Sequence, residues 1–213
     1  MRLAVKDLGK HYGEQVLFSD LNFAVTNDDW LTVIGESGSG KSTLLKIIAG
    51  LVDASTGLVL LNDKEEWTYP VDEYRQRVSY ATQAAQLFGE TVRDNLDLPF
   101  LVRKQEPDVK RQVALLEQVE LPADFLDRNI HDLSGGQRQR VGVARNLIFA
   151  PDVLLLDEIS TGLDADTKAA IWHLVEHMQA KAHFAVLSVT HDAQEIKSAK
   201  WTLKIEDGRG VLS

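Results

Sequence analysis

The sequence predicts an α/β fold: short apolar strands joined through helices, with a helical insertion in the middle of the chain. Three observations carry that expectation. The run LTVIG at 31–35 leads through a Gly/Ser loop into STLLKIIAG, where Leu44, Leu45, Ile47 and Ile48 recur at helical spacing. Further strand-like runs follow at 58–61, 78–82, 153–156, 184–189 and 201–205, and three of them are short and apolar enough to be covered on both faces. Residues 87–150 differ, with helical patterns at 109–121 and 137–150 and few strand signals.

Taken in order, Leu21, Phe23 and Val25 alternate with polar or small residues, the pattern of a half-buried strand. LTVIG is the next strand, and Gly50 is the expected C-cap of the helix that follows the glycine loop. A core of 1–86 and 151–213 around a helical subdomain at 87–150 is expected, within one domain spanning 1–213. No repeat at a fixed period and no linker-like tract interrupts it.

Composition sets outer limits. With 213 residues, 44% hydrophobic and 26% charged, the chain can bury most of its apolar side chains in a core without staples. The absence of Cys excludes disulfide frameworks, thiolate metal sites and cysteine nucleophiles, and fits a reducing compartment. Twenty-three basic against 32 acidic residues leave a net charge of −9, a poor basis for neutralising phosphates along nucleic acid, so no nucleic-acid partner is expected. The N-terminal residues hold no apolar core of signal-peptide length. The densest apolar stretch, Leu147 to Leu156, is broken by Pro151 and Asp152, far short of the roughly 18 residues of a membrane span. A soluble, cytoplasmic chain is the expectation.

Three motifs carry chemistry. Gly35-Glu36-Ser37-Gly38-Ser39-Gly40-Lys41-Ser42 matches G-x-x-x-x-G-K-[ST] between a strand and a helix. Its glycines let backbone N–H groups turn towards phosphates, and the helix that follows presents its positive dipole end. Lys41 would reach the β- and γ-phosphates and the Ser42 hydroxyl would bind Mg²⁺. A Gly/Ser turn that happens to precede Lys-Ser is the plainer alternative, but the strand–helix setting argues against it. The apolar run ending in Asp157 and Glu158 places two carboxylates at a strand end, where ligands bind in parallel sheets. There Asp157 can hold Mg²⁺ and Glu158 can orient or deprotonate a water. In the run at 133–140, Ser134 is a natural N-cap and Gly135 and Gly136 leave amides free at a helix start, a second anion site.

With these motifs in this order the sequence resembles the ATP-binding-cassette (ABC) family over essentially its whole length. The resemblance implies an ABC-type P-loop NTPase with a RecA-like core, an N-terminal antiparallel β part and a helical subdomain. It makes 35–42 the Walker A loop, with Thr43 beside it on the nucleotide, 133–137 the family signature and 153–158 the Walker B strand. Tyr12 falls where an aromatic ring stacks on adenine, and Gln83 where the Q-loop glutamine senses Mg²⁺ and the membrane partner. Asp164 matches the D-loop, and His191 the switch histidine that contacts the γ-phosphate. Lys41, Glu158 and His191 are thereby the implied catalytic residues, and Ser42, Gln83 and Asp157 the metal site. Two departures stand out: Ile159 follows the catalytic glutamate where the family usually has Pro, and Thr161-Gly162 replace the commoner Ser-Ala. Neither removes a group that touches phosphate.

The family pattern further implies ATP and Mg²⁺ as cofactors. It also implies a second copy whose Ser134 and Gly136 complete the ATP site, and an integral-membrane permease driven from the inner face of the cell membrane. Within the family the chain looks like the small ATPases of iron-export systems. Amino-acid or phosphate importers and lipoprotein or peptide exporters remain open. A soluble ABC ATPase of DNA repair or translation is the rival reading. Repair members carry a long coiled coil between the Walker motifs and translation members usually carry two cassettes, and neither is present here. A non-enzymatic ATP-binding regulator conflicts with Glu158 and His191. One decoy remains: His173, Glu176 and His177 match a zinc-protease pattern. They share a helix with Ile171, Leu174, Val175 and Met178, which give it an ordinary buried face.

Overall fold

The computed structural model describes residues 1–213. Its elements are β1 (Arg2–Tyr12), β2 (Gln15–Thr26), β3 (Trp30–Gly35), α1 (Lys41–Ile48), β4 (Thr56–Leu61), β5 (Lys64–Glu65), α2 (Val71–Arg77) and β6 (Val78–Ala81). There follow α3 (Val92–Val102), α4 (Val109–Gln118), α5 (Gly135–Leu147), β7 (Val153–Asp157), α6 (Ala165–Ala182), β8 (Ala185–Val189), α7 (Ala193–Ser198), β9 (Trp201–Glu206) and β10 (Arg209–Leu212). No helix is long and apolar enough to cross a membrane.

The chain divides into two compact units. The first comprises Met1–Tyr80, Pro151–Glu158 and His183–Ser213. It holds an antiparallel sheet in the order β2-β1-β4-β5 and a six-stranded sheet in the order β10-β9-β3-β8-β7-β6. In the second sheet β3 runs parallel to both β8 and β9, and β7 runs parallel to β8. Every residue of β7 and β8 is buried, which is why their sequences read as near-continuous apolar runs, interrupted only by Ser188 and the terminal Asp157, rather than alternations. Helix α1 sets Leu44, Leu45, Ile47 and Ile48 into the same core as Phe18, Val33, Leu155 and Leu187. Burial of each such side chain contributes about 1.5–3 kcal/mol. The helix ends as the sequence predicts: Gly50, at φ 63°, donates to Ile47 O while Leu51 donates to Lys46 O, a Schellman closure.

One long strand is absent from the sequence expectation. β1 buries Leu3, Ala4, Val5 and Leu8 in a pattern that does not alternate. Its register with β2 shifts between Val5 and Leu8 and again beyond Leu8, with Asp7 in the left-handed region at φ 48°. Bulges of this kind turn successive side chains to the same face and erase the period of two.

The second unit comprises Ala81–Ala150 and Ile159–Ala182 and is built from α3, α4, α5 and α6, with α5 packed against the other three. Its helix starts are capped by local side chains. Thr91 and Asp94 form a capping box on α3, Asp108 caps α4, and Ser134 with Gln137 forms a capping box on α5. In α6, Ile171, Leu174 and Val175 are buried while His173 and His177 are exposed, so the zinc-like spacing lies on the solvent face.

Candidate active site

Register places the first group of candidate residues. Val33 of β3 and Asp157 of β7 both align with Val189 of β8, so three parallel strands end together. The loop Gly35–Gly40 leaves the end of β3, Asp157 ends β7 with Glu158 next to it, and His191 follows β8 by two residues. The carboxyl ends of parallel strands are where an open α/β sheet offers a ligand crevice.

The loop is shaped for an anion. Gly40, the residue before α1, has φ 95°, and a Cβ there would stand 2.9 Å from the Phe18 ring, so only glycine fits. With Gly40 as N-cap, no side chain satisfies the first amides of α1, which leaves them for an external acceptor. Ser39 Oγ is buried with no hydrogen-bond partner, an orphan acceptor and donor inside the loop. Lys41 is buried, and its Nζ donates to Gly35 O at 3.0 Å and to Glu36 O at 2.8 Å. Burial holds its pKa below the usual lysine value, with Glu158 and Asp157 pulling the other way. Ser42 Oγ donates to Asp157 Oδ1 at 2.8 Å. A hydroxyl and a carboxylate side by side are hard oxygen donors of the kind Mg²⁺ takes alongside substrate phosphates. The loop and this pair together fit a magnesium-bound triphosphate.

Glu158 and His191 meet as a pair. His191 Nε2 lies 3.0 Å from Glu158 Oε1, and the Glu158 N–H donates to Val189 O at 3.0 Å, which ties the carboxylate's backbone to the end of β8. Glu158 sits at φ 52°, a left-handed conformation uncommon for glutamate and of the sort that gathers at reactive sites. The next residue, Ile159, is fully buried. A further residue, Tyr80, escapes the sequence analysis: from the end of β6 its Oη donates to Asp157 Oδ2 at 2.6 Å. Burial, then this bond, hold the phenol well above its usual pKa, so it is a donor at neutral pH. A tyrosine in a strand run carries no signal of this role. Tyr12, at the end of β1, is exposed, with Lys10 Nζ 4.6 Å from its ring centroid.

Gln83, Ser134, Gly136 and Asp164 belong to the second unit. Ser134 Oγ accepts from the Gln137 N–H at 3.2 Å, while Gln137 Oε1 accepts from the Ser134 N–H at 2.9 Å. Gly136 lies against Thr167, whose N–H and Oγ1 both donate to the Asp164 carboxylate, at 2.9 and 2.8 Å. Those bonds hold Asp164 below the usual carboxylate range. The signature turn and the D-loop thus form one packed corner. Gln83 is exposed on a segment that α5 grips through residues the sequence analysis missed. Gln139 Oε1 accepts from the Ala85 N–H, Gln139 Nε2 donates to Thr82 O, and Arg145 donates to Gln86 O and to Asn95 Oδ1.

Gly142 makes that grip possible, since a Cβ there would stand 2.6 Å from Ala85 Cβ. Gly142→Ala is expected to destabilise the protein by about 1–3 kcal/mol, the usual cost of overpacking. Thermal melts would show it as a fall of several degrees, and Ala85→Gly in the same chain should recover most of it. An unchanged melting temperature in the single variant would remove this account of Gly142.

The protein family described as "ABC transporter" matches residues 18–161. The chain is 38% identical over 210 residues to the probable iron export ATP-binding protein FetA of Escherichia coli K12, covering 99% of this chain and 93% of that one. It is 37% identical over 203 residues to the sulfate/thiosulfate import ATP-binding protein CysA of Nitrosomonas europaea, covering 92% of this chain but 55% of that longer protein. Among solved structures, one described as an ATP binding subunit of an ABC transporter superposes with a TM-score of 0.88 at 25% identity, over 100% of this chain and 90% of the other. A dimeric post-hydrolysis state of the ATP-binding cassette MJ0796, bound to ADP and Pi, superposes with a TM-score of 0.87 at 26% identity, over 99% and 97%. The fold is that of an ABC-type P-loop NTPase, with a RecA-like core, an N-terminal β-sheet and a helical subdomain. Loop, paired carboxylates and signature turn therefore have their explanation in ancestry as well as geometry: the chain belongs to the ABC transporter family, as an ATP-binding and ATP-hydrolysing subunit.

Proposed function

We propose that this subunit, one ABC ATP-binding domain over 1–213 with a helical subdomain at 87–150, drives a separate membrane permease from the cytoplasmic face. In this reading a second copy of the chain closes with it around two Mg²⁺-ATP. The observation that carries the chemistry is the convergence of Lys41, Ser42, Asp157, Glu158 and His191 where β3, β7 and β8 end. Bound Mg²⁺-ATP supplies the phosphoanhydride to be broken and a cation that neutralises its charge. Lys41 and the free amides of α1 orient the phosphates. Ser42 and Asp157 would hold the metal. Glu158 takes a proton from the attacking water on the carboxylate oxygen that His191 leaves free. His191 keeps that carboxylate aimed and reaches the γ-phosphate, while Tyr12 stacks on the adenine ring. Asp164 fixes the D-loop, and the partner copy's signature turn, through its Ser134 and Gly136, offers the amino end of α5 to the phosphates. The dimeric form of the post-hydrolysis relative supports that arrangement.

Metal removal tests the assignment of Mg²⁺ most simply. Turnover is expected to need a divalent cation, to stop in EDTA and to return with added Mg²⁺. Steady hydrolysis in EDTA would rule out the metal site.

For the cargo we propose iron or a related metal ion, moved outward. The likeness to the iron-export protein extends over 93% of that protein, whereas the sulfate relative is matched over only 55% of its length. Cells lacking the chain should accumulate iron under iron challenge. The wild-type chain should restore their iron content and Glu158→Gln should not. Normal iron content together with impaired sulfate uptake would reassign the cargo.

A further inference from the structure

Both oxygens of the Asp157 carboxylate are engaged, and only one of the two bonds is accounted for by the nucleotide site. Ser42 Oγ donates to Oδ1 at 2.8 Å, joining two residues read above as metal ligands. Tyr80 Oη donates to Oδ2 at 2.6 Å from the neighbouring edge strand β6. Asp157 is buried, and the Tyr80 ring is half-buried against the apolar core of the first unit.

The second bond has a mechanical consequence. The χ2 torsion of aspartate is broad and nearly two-fold, so a carboxylate held at one oxygen can turn its plane. A short bond from a phenol to an ionised carboxylate is among the stronger hydrogen bonds available to a protein. Pinned at Oδ2, the group has one orientation left, with Oδ1 towards Ser42. Removing an outer partner that orients a ligating group typically costs about 10- to 100-fold in metal affinity.

We propose that Tyr80 is a positioning residue of the magnesium site, holding the Asp157 carboxylate so that the metal meets two prearranged oxygens. This rests on Asp157 being a metal ligand, as read above. The hydroxyl is the part that matters, since the ring alone would suffice for packing.

The test separates metal from nucleotide. The affinity of the full-length chain for the non-hydrolysable analogue AMP-PNP is measured by calorimetry in excess Mg²⁺ and again in EDTA. The ratio of the two reports what the metal adds. Tyr80→Phe keeps the ring and removes the hydroxyl. It is expected to leave affinity in EDTA at the wild-type value and to reduce the Mg²⁺ enhancement by about 10- to 100-fold, the range for outer partners of a metal site. Asp157→Asn is measured beside it and should lose the enhancement. If Tyr80→Phe keeps the full enhancement while Asp157→Asn loses it, the proposal is wrong and the metal assignment stands. If Tyr80→Phe weakens binding equally in EDTA and in Mg²⁺, the tyrosine acts on the fold and the proposal is again wrong. If Asp157→Asn keeps the enhancement, Asp157 is not a ligand and both readings fall.

Discussion

Glu158→Gln should hydrolyse ATP about 10²–10⁴-fold more slowly than the wild-type chain, the usual loss when a general base is removed. The glutamine has the same shape and can still accept from His191 Nε2, 3.0 Å away in the native pair, but its amide is no base. Lys41, Ser42 and Asp157 are untouched, so nucleotide affinity should stay at the wild-type value. The separation of binding from turnover is the informative part, and it is read from a calorimetric affinity beside a phosphate-release rate. Wild-type turnover would hand the base role to another group, His191 first. A parallel loss of binding would make Glu158 a metal ligand.

Lys41→Ala should show the opposite pattern, with binding itself lost. Lys41 Nζ is anchored on Gly35 O and Glu36 O, buried within the loop and within reach of the phosphates the loop would cradle. Each charge-assisted hydrogen bond to a phosphate contributes about 1.5–3 kcal/mol, so each one lost weakens ATP by about 10- to 100-fold. Removal also leaves the two loop carbonyls without their donor, and the loop loses the clasp that preshapes it. Equilibrium dialysis with labelled ATP would show this, and an unchanged affinity would withdraw the phosphate-loop assignment.

The local parts of this site were legible because their physics is local. Glycine spacing, an N-cap serine and carboxylates ending an apolar run are written in consecutive residues, and Gly35–Ser42, Ser134 and Asp157–Glu158 stand where that reading puts them. Long-range partners were not legible. Tyr80 meets Asp157 only because β6 and β7 are neighbours in the sheet, an adjacency that no spacing in the chain encodes. The same holds for Gln139 and Arg145, whose side chains bond to residues more than 50 positions away. β1 was hidden by its bulges. The grouping of Ile159–Ala182 with the helical unit follows from α6 packing on α5, a contact between segments far apart in sequence.

The measurement that bears most directly on the central claim, an ATP-driven clamp of two copies, is sedimentation velocity of Glu158→Gln with and without Mg²⁺-ATP. With hydrolysis blocked, nothing reopens the closed state, so ATP should convert the chain from monomer to dimer. ADP should leave it monomeric. Adding Ser134→Arg to the same chain places a bulky cation at the amino end of α5, where the capping box and its free amides would meet the partner's phosphates. That double variant should still bind ATP and remain a monomer. A Glu158→Gln chain that binds ATP yet stays monomeric, or a dimer that survives Ser134→Arg, would contradict the clamp.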